Sequence, residues 1–148
     1  MNMSIQKLLL LGAFLLLTAT SLRGEEKQAK LTVNIVNTEE NTGKLYVYLF
    51  DVADDYPMET EKARMTKIVR VKNNSGTAVF EGVEYGTYSI AVHHDINDND
   101  EVDTNFLGIP NEDFGASNNA KGFMGPPSFE DASFSVNKKE MELEIDMD

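Results

Sequence analysis

Apolar and polar residues alternate along most of the chain after residue 30, which is the pattern of strands with one buried face. Leu31, Val33 and Ile35 begin this alternation, and the run at 45–50 is apolar on both faces, as in a central strand. The strands predicted in this way are 31–36, 45–50, 65–72, 77–81, 83–92, 132–136 and 141–147. Seven strands at short spacing, with no convincing helix, predict an all-β antiparallel sandwich of the transthyretin-like or immunoglobulin-like kind.

One predicted strand carries a further signal of a β-sandwich at its start. Gly86 stands two residues before Tyr88, as in the tyrosine corner, where a hydroxyl group holds down the arch that precedes a strand. We therefore expect the Tyr88 hydroxyl to fasten the backbone just upstream of it.

The first 24 residues do not share the alternation. Lys7 is followed by an apolar run at 8–17 and by small residues at 18–21, which is the layout of a secretory signal peptide. The run is about half of the roughly 20 residues that a membrane-spanning helix needs, so a permanent anchor is disfavoured. The sequence predicts an exported protein, periplasmic or extracellular, with a single mature domain at 25–148 and no transmembrane anchor in it.

Composition narrows the chemistry of this domain. The 148 residues carry a formal charge of −12 and contain no cysteine and no tryptophan. Without cysteine there are no disulfides, thiol nucleophiles, iron–sulfur clusters or cysteine-based zinc sites. Removal of residues 1–24 takes away two basic residues and no acidic one, which changes the charge to −14. So acidic a domain repels phosphate backbones, and nucleic acid is not an expected partner.

The segment from about 95 to 130 lacks a clear strand or helix. It holds four of the ten glycines and three of the four prolines, yet also four phenylalanines, which disordered segments lack. We therefore expect an ordered loop whose face at 108–129 binds an unknown protein or glycan, although a chain without tryptophan is less suited to glycans. The residues expected on this ligand face are Phe114, Ser117, Asn118, Asn119, Phe123, Pro127 and Phe129.

The start of this loop has the donor pattern of a calcium site. Oxygen-bearing residues stand at alternate positions, namely Asp95, Asn97, Asn99, Glu101 and Asp103, and Glu101 can offer its backbone carbonyl. Calcium takes six to eight oxygen ligands, and the spacing is that of an EF-hand loop. Asp100, however, stands where an EF-hand has glycine, and Phe106 stands where it has a bidentate glutamate. The sequence predicts a related calcium loop that Glu112 or Asp113 could complete; the alternative is a solvated acidic turn.

Two neighbouring histidines precede the loop. Adjacent residues of a strand point to opposite faces, so His93 and His94 are not expected to bind one zinc ion together. The alternation places His94 on the face of Tyr88, Ile90 and Val92, where we expect it to orient the ion loop from the edge of the core. His93 is expected at the surface.

Signals of catalysis are weak. Ser117 has no Gly-x-Ser-x-Gly elbow around it, and carboxylate pairs arise by chance in a chain with 25 acidic residues. The first hypothesis is therefore a non-catalytic, calcium-stabilised binding domain. Two alternatives stay open: a metal-assisted hydrolase of envelope glycans or peptides that uses His94 and the loop carboxylates, and a purely structural envelope protein.

A long set of motifs runs through the irregular segment. They read His93-His94-Asp95-x-Asn97-x-Asn99, Asp103-Thr104-Asn105, Gly108-Ile109-Pro110-x-Glu112, Gly115-x-Ser117-Asn118-Asn119-Ala120 and Gly125-Pro126-Pro127-x-Phe129-x-x-Ala132. With these motifs the chain resembles the bacterial domain of unknown function 2141 family over roughly residues 30–147. The resemblance implies a signal peptide, one domain and a family loop that contains Asp95, Asn97, Asn99 and Asp103; it implies no activity. The first part of the chain is also similar to transthyretin-like accessory modules of carboxypeptidases, a likeness of fold alone.

Overall fold

The computed structural model describes residues 27–148, so the predicted signal peptide lies outside the described residues. The strands are β1 (Gln28–Val36), β2 (Lys44–Phe50), β3 (Met65–Arg70), β4 (Gly76–Glu84), β5 (Gly86–Asp95), β6 (Phe114–Ala116), β7 (Phe134–Val136) and β8 (Glu140–Asp146). A one-turn helix, α1, covers Phe129–Ala132, and 3₁₀ turns cover Thr60–Lys62 and Ser117–Asn119. No helix within 27–148 is long and apolar enough to cross a membrane.

The strands form two sheets. One has the order β4-β1-β8 and the other the order β3-β2-β5-β6, while β7 pairs with the first residues of β5. The predicted all-β class is confirmed, but three details are wrong. The described chain has eight strands rather than seven, β6 lies inside the segment expected to be irregular, and β1 pairs with β8 in parallel. The alternation of apolar and polar residues indicates which face of a strand is buried. It does not indicate whether two paired strands run parallel or antiparallel.

The two sheets share one hydrophobic core. Alternate residues of their strands point into it. Leu31, Val33 and Ile35 of β1 are fully buried, and so are Val47 of β2 and Val92 of β5 from the other sheet. Burial of such a side chain contributes about 1.5–3 kcal/mol, so these strands are the main source of stability. The expected tyrosine corner is confirmed as well, because the Tyr88 hydroxyl donates to the Glu84 carbonyl at 2.9 Å.

A second, smaller apolar cluster orders part of the long loop. Phe50, Tyr56, Ala116 and Ala132 are buried together, and Phe129 packs against them. The Ser117 hydroxyl accepts the Ile90 N–H at 2.8 Å and donates to the Ala132 carbonyl, which fixes the loop and α1 to β5. This cluster lies on the face of the β3-β2-β5-β6 sheet that points away from the main core.

Candidate ligand-binding groove

The outer face of the β3-β2-β5-β6 sheet carries a strip of aromatic side chains. Strand register places Tyr46 of β2 opposite His93 of β5, which in turn lies opposite Phe114 of β6. In the next row, Tyr48 lies opposite Ala91. Alternation directs these residues outward because their neighbours along each strand, such as Val47 and Val92, fill the main core.

The rings of this strip lie nearly parallel to one another. His93 is sandwiched between Tyr46 and Phe114, with ring centroids 5.8 and 5.0 Å away and interplanar angles of 20° and 15°. Tyr48 continues the strip, 6.1 Å from Tyr46 and tilted by only 13°. The strip gives the outer face of the sheet a continuous aromatic surface.

His93 is buried, which overturns its expected place at the surface. Its Nε2 lies 2.7 Å from the Glu112 carboxylate, and only 5% of the residue is exposed. Glu112 also accepts the backbone N–H groups of Ile96 at 3.2 Å and Asp103 at 3.1 Å. The long loop folds back over β5 and brings Glu112 against His93. The alternation of residues within β5 does not predict this contact.

Three loops rise around the aromatic strip and enclose a groove of about 820 Å³. Its walls come from residues around 56–60, 100–110 and 119–127, and all four prolines of the chain lie in them. Mostly apolar side chains line it, with Met58 and Val102 in the walls and Tyr46 and Tyr48 at the base. A concave apolar site of this size is typical of ligand-binding pockets.

Two of the loop tips carry large apolar side chains in full contact with solvent. Phe106 and Phe123 are each 95% exposed and Met124 is 93% exposed. The first tip is held in shape by Asn105, whose side-chain oxygen accepts the N–H groups of Leu107 at 2.8 Å and Ile109 at 3.1 Å. The exposure of Phe106 is therefore built into a hydrogen-bonded loop.

The predicted calcium ligands lie at one end of the sheet, where β5 ends. Asp95 is fully buried, and its two carboxylate oxygens accept the backbone N–H groups of Asn99 at 3.2 Å and Asp100 at 3.0 Å. The Asn97 and Asn99 amides donate to the Asp103 carboxylate at 2.6 and 3.1 Å. The side chains of four of the five predicted ligands thus converge; Glu101, predicted to contribute its backbone carbonyl, has an exposed side chain.

The loop position that is glycine in an EF-hand has a glycine-like backbone conformation here, although an aspartate occupies it. Asp100 replaces the usual glycine, and its φ of +66° lies in the left-handed region. Aspartate tolerates that region better than most residues with a side chain, because its short carboxylate bonds locally.

Two cations of the neighbouring strands approach this loop. Lys44 Nζ lies 3.6 Å from Asp95 and 3.8 Å from Asp98 and also contacts Asp100, while Arg70 contacts Asp98. The hydrogen bond from Lys44 lowers the pKa of the Asp100 carboxyl below its usual range, and the same bond raises the pKa of Lys44. Within residues 27–148, no group of three or more histidine, aspartate or glutamate side chains is arranged to hold a metal.

His94 lies on the core face with Ile90 and Val92, as alternation predicts. It is fully buried, and its Nε2 lies 2.8 Å from the Thr42 carbonyl, so its ring contacts the turn between β1 and β2. It does not reach the groove.

The predicted ligand face is only partly assembled. Phe114, Asn119 and Pro127 line the groove, and Phe123 lies at an exposed tip beside it. Ser117, by contrast, was wrongly assigned to the ligand face because it is fully buried. Asn118 donates to the Asp131 and Ser133 carbonyls, and Phe129 packs edge-on against Tyr56 with centroids 5.9 Å apart, so both serve internal packing.

The groove residues that were not expected from the sequence are tyrosines. Tyr46, Tyr48 and Tyr56 are three of the five in the chain, and all line the groove. The signal was present in the run 45–50, where Tyr46 and Tyr48 alternate with aliphatic residues. A strand face with two tyrosines is amphipathic, and such faces are common at binding surfaces.

Comparison with known proteins identifies a family but no characterised relative. No curated protein and no solved structure matches the chain. The profile of the family described as "Uncharacterized protein conserved in bacteria (DUF2141)" matches residues 33–144, which include at least part of every strand, the long loop and all groove-lining residues except Asp146. The chain therefore belongs to the DUF2141 family of uncharacterised bacterial proteins.

Proposed function

We propose that this protein is a non-catalytic, exported binding domain that holds an apolar ligand in the groove above the aromatic strip. The observation that carries the proposal is the groove itself, an apolar concavity of about 820 Å³ with three tyrosines in its lining. Tyrosine contributes apolar contact area together with a hydroxyl group, which suits recognition of a ligand with mixed polarity. The proposed architecture remains a transthyretin-like or immunoglobulin-like sandwich.

A neutral apolar dye tests the groove. Nile red should bind saturably with a rise in fluorescence, and Tyr48→Ser should weaken binding by about tenfold, as expected for the loss of a central aromatic contact. The matched control is Ile68→Ser on β3, because Ile68 is exposed on the same sheet and does not line the groove. Equal losses in the two variants, or no saturable binding at all, would contradict a specific groove.

The hydrolase alternative gains less support from the geometry. It required His94 beside a metal in an open cleft, and His94 is enclosed in the core with its Nε2 against the Thr42 carbonyl. A non-catalytic role is therefore the proposal that the site favours, ahead of both the hydrolase and the purely structural component.

We further propose that the loop at 95–103 binds calcium and thereby steadies one wall of the groove. The convergence of Asp95, Asn97, Asn99 and Asp103 supports this proposal, since these side chains already contact one another or the same backbone turn. Lys44 and Arg70 offset part of the negative charge, but neither forms an ion pair with Asp103.

Calcium addition to chelator-treated protein should stabilise it. At about 100 times the dissociation constant, a ligand that binds only the folded state raises the free energy of unfolding by about 2.7 kcal/mol. Asp95→Ala should abolish this calcium-dependent increment, while Asp98→Ala, which alters the same loop outside the proposed ligand set, should retain it. Unfolding curves with and without calcium provide the measurement; superimposable curves for the unaltered protein would refute calcium binding.

A further inference from the structure

We propose that the ligand of the groove is an extended polypeptide segment that combines apolar side chains with lysine or arginine. This assignment rests on the proposed function, because it names the ligand class of the same groove. Its supports are the extent of the apolar surface, the nature of the exposed tips and the charge of the lining.

The apolar surface extends well beyond the groove. Phe106, Phe123 and Met124 are almost fully exposed at tips whose neighbours in sequence, Gly108 and Gly125, line the groove. Soluble proteins rarely leave such side chains bare unless a partner covers them. A small molecule inside the groove would leave the tips in water, whereas a polypeptide that lies along the groove can contact the tips as well.

The chemistry of the tips favours a polypeptide over a glycan. Leu107 and Ile109 accompany Phe106 on the first tip, and Met124 accompanies Phe123 on the second; all are exposed. Aliphatic side chains form no hydrogen bonds with sugar hydroxyls and a thioether is only a weak acceptor, but both pack well against the apolar side chains of a peptide.

The charged residues that line the groove favour a positively charged partner. The lining contains three carboxylates, Asp100, Glu101 and Asp146, but only one lysine or arginine, Lys121, which donates to the Asp148 backbone carbonyl at 2.6 Å. Asp100 is paired with Lys44, while Glu101 forms no ion pair within residues 27–148. Together with the formal charge of −12, this lining attracts basic segments and repels anionic lipid surfaces and a second copy of the chain.

The rigidity of the groove walls also favours an extended ligand. Its walls contain all four prolines, and the bridge between Thr104 and Pro110 closes the base of the first tip. Rigid walls reduce the conformational entropy that binding must remove, so a short segment can bind without induced folding of the domain.

Selection from a phage library of random twelve-residue peptides tests this assignment, with the purified protein as the target. We expect an enriched set of peptides that contain both apolar residues and lysine or arginine. A synthetic peptide from that set should bind about fivefold more weakly to Glu101→Lys, because an exposed charge contact is lost and reversed. Glu140→Lys makes the same charge change on β8 of the other sheet and should leave binding unchanged.

The outcomes separate this inference from the proposed function. No enriched set, enrichment of acidic peptides, or equal binding by the two charge variants would overturn the polypeptide assignment. If Nile red still binds in a Tyr48-dependent manner, the groove remains a binding site and only the ligand class is wrong. If the dye fails as well, the proposed function itself is overturned.

Discussion

Replacement of Glu112 by alanine should destabilise the protein by about 3 kcal/mol, although the residue belongs to no strand or helix. Its side chain is only 3% exposed, and its carboxylate lies within hydrogen-bond distance of the His93 ring nitrogen and of two backbone N–H groups. A carboxylate accepts hydrogen bonds, so the 2.7 Å contact fits the His93 tautomer that carries its proton on Nε2. Removal leaves that nitrogen and two backbone N–H groups without their acceptor.

The destabilisation caused by Glu112→Ala should be largest at the groove and at the predicted calcium loop, residues 95–103. Glu112 joins Ile96 at the start of the loop to Asp103 at its end, and it holds His93 in the aromatic strip. Urea unfolding measures the loss of stability, and amide hydrogen exchange at Ile96 and Asp103 should accelerate. Glu101→Ala is the control, because that side chain is exposed and its removal should change stability by less than about 0.5 kcal/mol. Wild-type stability in Glu112→Ala would refute the role of Glu112.

Replacement of Gly43 by alanine should be at least as damaging, with an expected loss of more than about 3 kcal/mol. Gly43 immediately precedes β2 and has a φ of +76°. An added Cβ would lie 2.1 Å from the Asp95 carbonyl oxygen and 2.8 Å from the Ile96 Cα. Both are backbone atoms at the start of the predicted calcium loop, so the loop must shift or the turn must open.

A second glycine separates the two causes of this loss. Gly108 has nearly the same φ, +78°, but a Cβ added there meets nothing within 4 Å. Gly108→Ala should therefore show only the backbone strain of a left-handed alanine, about 1–2 kcal/mol. Equal losses in the two variants, measured by urea unfolding, would show that close packing against Asp95 and Ile96 is unimportant.

The strands were largely predictable because their alternation directly reflects burial. Leu31, Val33 and Ile35 were expected in the core and lie there, and the Tyr88 corner was expected from two residues. The parallel pairing of β1 with β8 was not predictable in this way, because a strand has the same alternation in either direction.

The candidate site was harder to predict because distant segments create it. His93 is buried because Tyr46 and Phe114 stack on its ring and because Glu112, 19 residues later, returns to it. The groove likewise requires three loops to gather around Tyr46 and Tyr48, and local sequence patterns do not report such approaches. The convergence of Asp95 with Asn97 and Asn99 was expected, because short polar side chains at alternate positions of one tight turn point toward the same space.

The most direct test of the central claim is amide chemical-shift mapping during titration with Nile red. If a ligand occupies the groove, we expect saturable shifts in β2, β5 and β6 around Tyr46, Tyr48, Ala91 and Phe114, with further shifts in the three loops that form the walls. Shifts confined to the β4-β1-β8 sheet, or scattered shifts that never saturate, would contradict a ligand-binding groove on this face.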